Sequence, residues 1–302
     1  MTTSSSGLRG CGTALVTPFT AGGAVDFLAL KALVQWQIAE GIDFLVPCGS
    51  TGEAQTLDAR ERERVVVATL EAAAGRVPVM AGATSNDTAR AADEARRMAA
   101  LGADYILSAT PYYNKPTQEG LYRHFLAVAE ASRAPVCLYN VPGRTAVNLA
   151  AETTLRLAGH DNIVAIKEAS GDLAQMMKII RGRPTGFRLL SGDDNLALAV
   201  VAVGGDGLVS VTSNEAPRAM TELIRLALDG DVAGARTLHY RLLPLMDANF
   251  LETNPAPVKA ALHLMGHVED VLRLPLVAVS DATRERLRAA LEVAGIAAGA
   301  GA

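Results

Sequence analysis

Cysteine is scarce in this chain: Cys11, Cys48 and Cys137 are scattered, odd in number and without a CxxC pair. No histidine stands at metal-ligand spacing around them, so neither a disulfide framework nor a zinc site is indicated. Each lies in or beside an apolar, strand-like stretch, which points to packing thiols rather than nucleophiles. Positive charge is short as well. A net charge of -4 and a pI near 5.8 leave no basic surface to hold phosphodiesters, which argues against a nucleic-acid partner. No segment approaches the run of about 20 apolar residues that a membrane helix needs, and the first seven residues lack the apolar core of a secretory signal. The expected location is the cytoplasm, with no membrane partner. A GxGxxG turn after the first strand-like run is also missing, which removes the main signature of a dinucleotide fold.

What the chain does have is 302 residues, half of them hydrophobic, enough to bury a substantial core. From residue 12 to about 230, short β-rich runs alternate with longer alanine-rich stretches whose apolar residues recur at helical spacing. Strands are predicted at 13–16, 44–47, 77–81, 105–108, 136–139, 164–167, 188–190 and 208–211. Helices are predicted between them, for example at 26–40, 58–73, 87–100 and 118–132, several opened by a capping Asp, with the last at 215–228. Eight such units, with strands apolar on both faces, predict an α/β fold of the (β/α)8 TIM-barrel type over 1–230. A doubly wound open sheet is the competing arrangement. Beyond residue 230 no strand signal returns, and helices at 232–250, 256–266 and 282–293 predict a C-terminal α-helical extension over 231–302 that ends in a frayed tail.

In a parallel barrel the active site forms at the C-terminal ends of the strands. Those ends carry GSTGE at 49–53, Pro111 with Tyr112 and Tyr113, Tyr139 through to Arg144, Lys167, and SGDD at 191–194. A lone strand-end lysine is most simply a packed stem with a solvated head. A lysine amine attacks carbonyls only when neutral, and with an ordinary pKa near 10.4 only about one in a few thousand is neutral at pH 7. An apolar setting favours that neutral form, and Ile163, Val164 and Ile166 adjoin Lys167 in sequence. Tyr139, on the neighbouring strand, can move protons at the reacting carbonyl, with Ser50, Thr51, Tyr112 and Tyr113 as further hydroxyls. The glycine-flanked turn at 49–52 is either a plain tight turn or a cradle of backbone N–H groups and hydroxyls for a carboxylate. Arg144 has a salt-bridge reading and a second one, the bidentate capture of another carboxylate. Asp193 and Asp194, without partnering His or Glu spacing, read as a helix N-terminus.

Taken together, the chain resembles the dihydrodipicolinate synthases, within the N-acetylneuraminate lyase superfamily of class I aldolase-type barrels. The resemblance rests on GTALVTPF at 12–19, GSTGE at 49–53, PYYNKP at 111–116, YNVPGRT at 139–145, IKEASG at 166–171, LSGDD at 190–194, the 205–212 segment and NPAPVK at 254–259. It implies that Lys167 forms a Schiff base with pyruvate, with Tyr139 as proton donor and acceptor and Ser50 and Tyr113 completing a hydroxyl relay. Thr51 is implied to hold the pyruvate carboxylate, with Val209 and Gly192 lining the pocket through their backbone. Arg144 is implied to hold the carboxylate of aspartate 4-semialdehyde. No cofactor or metal is implied beyond the covalent lysine. The residue at the Tyr113 position in such enzymes reaches in from a neighbouring subunit, so a homo-oligomer is expected, commonly a tetramer built as a dimer of dimers.

Two departures stand out. Ser50 occupies a position where threonine is usual, keeping the hydroxyl but losing the methyl that fixes its rotamer. Lysine-inhibited relatives have a carboxylate and a histidine where this chain has Arg90 and Arg62, although Asn86 and Tyr112 of that allosteric site are present. A cation in place of the carboxylate repels an ammonium ligand, so weak or absent lysine feedback is expected. The rival readings are a sister aldolase acting on another 2-oxo acid and a non-catalytic sensor of such acids.

Overall fold

In the computed structural model, which describes residues 7–297, the backbone follows the alternation read from the sequence. Eight parallel strands carry the barrel: β1 (Gly10–Ala14), β2 (Phe44–Val46), β3 (Met80–Gly82), β4 (Tyr105–Ala109), β5 (Val136–Asn140), β6 (Ile163–Glu168), β7 (Arg188–Ser191) and β8 (Gly207–Ser210). They pair in the order β2-β1-β8-β7-β6-β5-β4-β3. The ring closes between β2 and β3 through a single bridge, Leu45 to Val79, flanked by the Leu45 amide donating to the Pro78 carbonyl and the Gly82 amide to the Pro47 carbonyl, each at 3.0 Å.

Side chains alternate along each strand, as the two-residue period requires. Phe44, Val46, Met80, Leu107, Cys137, Ala165, Leu190 and Val209 fill the barrel. Leu45, Ile106, Leu138, Ile166, Leu189 and Leu208 face outward into the layer beneath the helices. Both faces are therefore apolar, and both are covered.

That outer layer is made by α1 (Phe27–Ala39), α2 (Ala59–Ala73), α3 (Thr88–Ala100), α4 (Gln118–Ala131), α5 (Pro142–Thr145), α6 (Ala151–Leu157), α7 (Leu173–Gly182), α8 (Ala197–Ala202) and α9 (Pro217–Leu228). The capping aspartates act as expected. Asp26, Asp58 and Asp87 each accept from first-turn amides, and Asp58 forms a full capping box with Glu61. Helices α10 (Val232–Ala248), α11 (Ala256–Leu264) and α12 (Asp281–Ala294) follow, α10 packing on α9 and α12. The part of the predicted frayed tail at 298–302 lies outside the described residues. No helix among the described residues is long and apolar enough to cross a membrane.

Element boundaries differ from expectation where the backbone hydrogen bonds go elsewhere. The third strand begins at Met80 rather than 77, because Pro78 has no N–H and the Val79 amide donates to Asp104 Oδ2 at 2.9 Å. The first strand ends at Ala14, and the Val16 amide donates to Asn214 Oδ1 at 3.1 Å. The connection after β5 is broken into α5 and α6 by Ala146, which sits in the left-handed region at φ 59°.

Candidate active site

Lys167 ends β6 on the inward face, opposite Tyr139 on β5. It is 5% exposed, and its Nζ lies 4.3 Å from the centre of the Tyr139 ring. Only some of the expected apolar neighbours lie on the side of the amine. Ile163 and Ile166 pack in the outer layer, while Val164 packs against the inner cluster in which Ala165, Tyr139 and Leu190 supply the apolar setting. Gly192 makes room for the lysine stem. A Cβ there would stand 2.6 Å from the Ala169 Cβ and 3.1 Å from the Lys167 Cε.

The ends of β5 and β6 are braced by Glu168, which faces outward from the position next to the lysine. Its carboxylate accepts from Asn140 Nδ2 at 3.0 and 3.1 Å, from the Ser170 amide at 2.8 Å and from Gln175 Nε2 at 3.1 Å. Burial pushes the Glu168 carboxyl up from the ordinary range, and those donors pull it back.

Above Lys167 opens a cleft of about 570 Å³, lined by Ser50, Thr51, Tyr139, Arg144, Gly192 and Asp193 among others. Thr51 is buried, and its Oγ1 accepts from Asn254 Nδ2 at 2.9 Å. Arg144 lies on the one-turn helix α5 and donates from Nη2 to the Asn254 carbonyl at 3.2 Å. Thr110 Oγ1 donates to Thr145 Oγ1 at 2.9 Å and ties that turn to β4. One residue, Asn254, therefore touches both groups expected to hold carboxylates.

The cleft gathers Lys167, Tyr139, Ser50, Thr51, Arg144 and Gly192. Val209 sits one layer deeper, in the barrel interior, and Val211 lines the cleft instead. Tyr113 is 88% exposed at φ 73° and is not among the residues lining the cleft of its own chain. Asp193 stands at the head of the short helix over 194–196, as expected, but its side chain makes no capping bond and it lines the cleft. Burial raises its carboxyl above the usual range, opposed by the charge of Lys167. Asp194 instead accepts from the Val211 and Thr212 amides at 3.0 and 3.1 Å and bonds the Ser210 hydroxyl, fixing the end of β8. Asn254, Phe250 and Glu252 also line the cleft. Asn254 heads the NPAPVK segment that stood out in the sequence, which was the available signal.

The residues of the expected lysine site divide. Arg62 and Tyr112 line a second cavity of about 210 Å³ that shares Ser50, Tyr139 and Arg144 with the cleft. Arg62 is paired with Glu94 at 2.7 Å. Arg90 is exposed and faces Asp87 at 3.6 Å, while the Asn86 carbonyl accepts from Asn114 Nδ2 at 2.9 Å. All three cysteines are buried and free, and burial pushes the Cys48 and Cys137 thiols up to about 12, as befits packing groups. Among the described residues no group of three or more His, Cys, Asp or Glu gathers as metal ligands would.

Comparison with known proteins agrees with this geometry. The model of the dihydrodipicolinate synthetase family matches residues 7–294. The 4-hydroxy-tetrahydrodipicolinate synthase of Koribacter versatilis is 56% identical over 290 residues, covering 96% of this chain and 97% of that one. Dihydrodipicolinate synthase from Acinetobacter baumannii, solved in complex with pyruvate, superposes with a TM-score of 0.94 at 44% identity, over 96% of this chain and 99% of its own. A monomeric dihydrodipicolinate synthase variant also superposes with a TM-score of 0.94, at 43% identity over 96% and 98% of the two chains. A buried lysine facing a tyrosine at the mouth of an eight-stranded barrel, joined to relatedness along almost the whole length, places the chain in the dihydrodipicolinate synthetase family.

Proposed function

We propose that the protein is a 4-hydroxy-tetrahydrodipicolinate synthase, condensing pyruvate with L-aspartate 4-semialdehyde in lysine and diaminopimelate biosynthesis. The observation that carries this reading is the inward Lys167 amine, 4.3 Å from the Tyr139 ring and beneath a cleft that holds Thr51 and Arg144. The Lys167 nitrogen attacks C2 of pyruvate to give a carbinolamine, which loses the carbonyl oxygen as water to form an imine. A proton then leaves C3, and the enamine carbon bonds to the aldehyde carbon of the semialdehyde, whose oxygen becomes a hydroxyl. The amino group of the second substrate closes the ring on C2 and expels the lysine. The sum is two substrates combined with the loss of one water. Every step is redox-neutral, and the iminium nitrogen serves as the electron sink, so the chemistry calls for no separate cofactor.

Tyr139, whose ring lies beside the amine, can donate and accept the protons these steps move. Thr51 and the turn around it receive the pyruvate carboxylate, while Arg144, at the outer side of the cleft, receives that of the semialdehyde. Ser50 lies in the same cleft as a relay hydroxyl. The reading includes a homo-oligomer, since the exposed Tyr113 phenol can join the relay only at the cleft of a second chain. It also includes a cytoplasmic location, where amino-acid biosynthesis draws on pyruvate. Treatment with borohydride and pyruvate, followed by peptide mass analysis, tests it directly. A reduced three-carbon adduct on Lys167 is expected, and an unmodified Lys167 overturns the reading.

A further inference from the structure

The turn carrying Ser50 and Thr51 is gripped by a residue 206 positions further along the chain. Lys259, on α11, has no solvent exposure, and its Nζ donates to Glu53 Oε1 at 2.7 Å and to the Thr17 carbonyl at 3.0 Å. The ammonium also lies 4.1 Å from the centre of the Phe19 ring, with the Arg273 guanidinium 4.5 Å from the same ring centre. The other oxygen of Glu53, Oε2, accepts from the Arg273 amide at 3.1 Å. Thr17 Oγ1 in turn donates to the Gly52 carbonyl at 2.7 Å.

Glu53 stands at φ 51°, in the left-handed region that a residue with a Cβ enters only when its surroundings hold it there. Both of its carboxylate oxygens are held, one by an ammonium and one by a backbone amide. The head of the same helix reaches the turn as well, through Asn254 Nδ2 bonded to Thr51 Oγ1 at 2.9 Å. The turn is thus fastened to the α11 segment at residues 51 and 53, on either side of Gly52. A buried ion pair is a weak source of stability, because apolar residues of like volume often serve equally well. Its strength is directional, since a charge in a dry site tolerates little displacement from its partner.

We propose that the ion pair of Glu53 and Lys259 positions the pyruvate carboxylate site, by fixing the left-handed residue that ends the turn bearing Ser50 and Thr51. This rests on the synthase reading and extends it to a buried pair that never touches substrate. Lys167 and Tyr139 stand on other strands, so the pair acts on how pyruvate is held and not on the amine.

The test is the double variant Glu53→Gln with Lys259→Met, which removes both charges and keeps both volumes. The half-saturating pyruvate concentration is expected to rise at least about tenfold, while turnover at saturating pyruvate falls by a smaller factor, through the Ser50 hydroxyl on the same turn. Borohydride trapping at saturating pyruvate still labels Lys167, which separates this proposal from the synthase reading, since absence of the adduct in the unaltered enzyme would overturn the latter. Arg284→Met serves as the structural control. It breaks an ion pair with Asp270, whose charge is also felt by Lys259. Arg188→Met, which breaks the pair with Asp206 at the start of β7, is therefore the second control, and it should lower the melting temperature without moving the pyruvate response. An unchanged pyruvate half-saturation in the folded double variant, or an equal rise in the second control, overturns the proposal. If the double variant does not fold, Glu53→Gln alone carries the same measurement, and an unchanged half-saturation there has the same consequence.

Discussion

Tyr139 and Lys167 occupy directly opposed positions on adjacent parallel strands, with the amine 4.3 Å from the centre of the phenol ring. The ring's place is set by the ladder, and its hydroxyl is the only part that removal of one atom changes. Tyr139→Phe should therefore keep the fold and still allow slow labelling of Lys167 by pyruvate and borohydride. Turnover should fall roughly 10²- to 10⁴-fold, the usual worth of a positioned proton donor and acceptor. Steady-state rates of the purified variant check this, and a loss of less than about threefold would remove Tyr139 from the proton path.

Arg144 is exposed at the outer side of the cleft, held through the Asn254 carbonyl. Arg144→Ala should leave adduct formation with pyruvate intact and lower kcat/KM for aspartate semialdehyde by roughly 10- to 100-fold, the worth of a charge-assisted pair of hydrogen bonds. Equal kinetics for that substrate would favour a sister aldolase with another acceptor.

Gly192 leaves no spare volume beside the lysine stem, as a Cβ would stand 3.1 Å from the Lys167 Cε. Gly192→Ala should displace the stem and slow adduct formation at least about tenfold, with a stability loss of about 1–3 kcal/mol from overpacking. Time-resolved borohydride trapping and urea unfolding measure the two effects separately.

Arg62 is engaged with Glu94, and Arg90 stands exposed where a carboxylate would be needed to meet an ammonium. Lysine should therefore leave activity largely unchanged up to about 1 mM, a concentration at which typical small-ligand sites fill. Strong inhibition below that concentration in a standard inhibition curve contradicts the prediction.

His124 is buried, with Nδ1 within 3.0 Å of the Thr88 hydroxyl, and burial pushes its pKa from 6.5 down to about 4. The unfolded chain takes up a proton near pH 6.5, and the folded chain resists until about pH 4. Stability from this group is thus complete above pH 6.5 and drains away as the pH falls through that window, by up to about 3 kcal/mol. Urea unfolding at pH 7 and pH 4.5 should show a shallower loss for His124→Leu than for the unaltered protein. Parallel losses in the two proteins would assign the pH dependence to other groups.

The barrel was legible because its strands are apolar on both faces and its helices begin at capping aspartates such as Asp26, Asp58 and Asp87. The pairing of Tyr139 with Lys167 was legible as two strand ends that had to be neighbours. The immediate surroundings of the lysine were not, because alternation turns Ile166 away and a shift of register between β5 and β6 turns Ile163 away as well, which residue type does not announce. The start of β3 was hidden by where one amide goes, from Val79 to a side chain of Asp104. Asn254 and Lys259 were visible only as the two ends of the NPAPVK motif, and nothing in that motif ties them to Thr51 and Glu53 some 200 residues earlier. The left-handed backbone at Tyr113 likewise has no signature in residue type.

The seam where the ring of strands meets itself has a further meaning. A Cβ on Gly82 would fall 2.0 Å from the Cys48 carbonyl oxygen, so β3 can come up against β2 only because residue 82 has no side chain. Cys48 itself, at φ 57°, is where the chain leaves β2 for the turn that carries Ser50 and Thr51. The hydrogen bonds that shut the barrel therefore adjoin the turn proposed to receive a carboxylate. A side chain at residue 82 would thus press on the seam of the cylinder and on the root of that turn together.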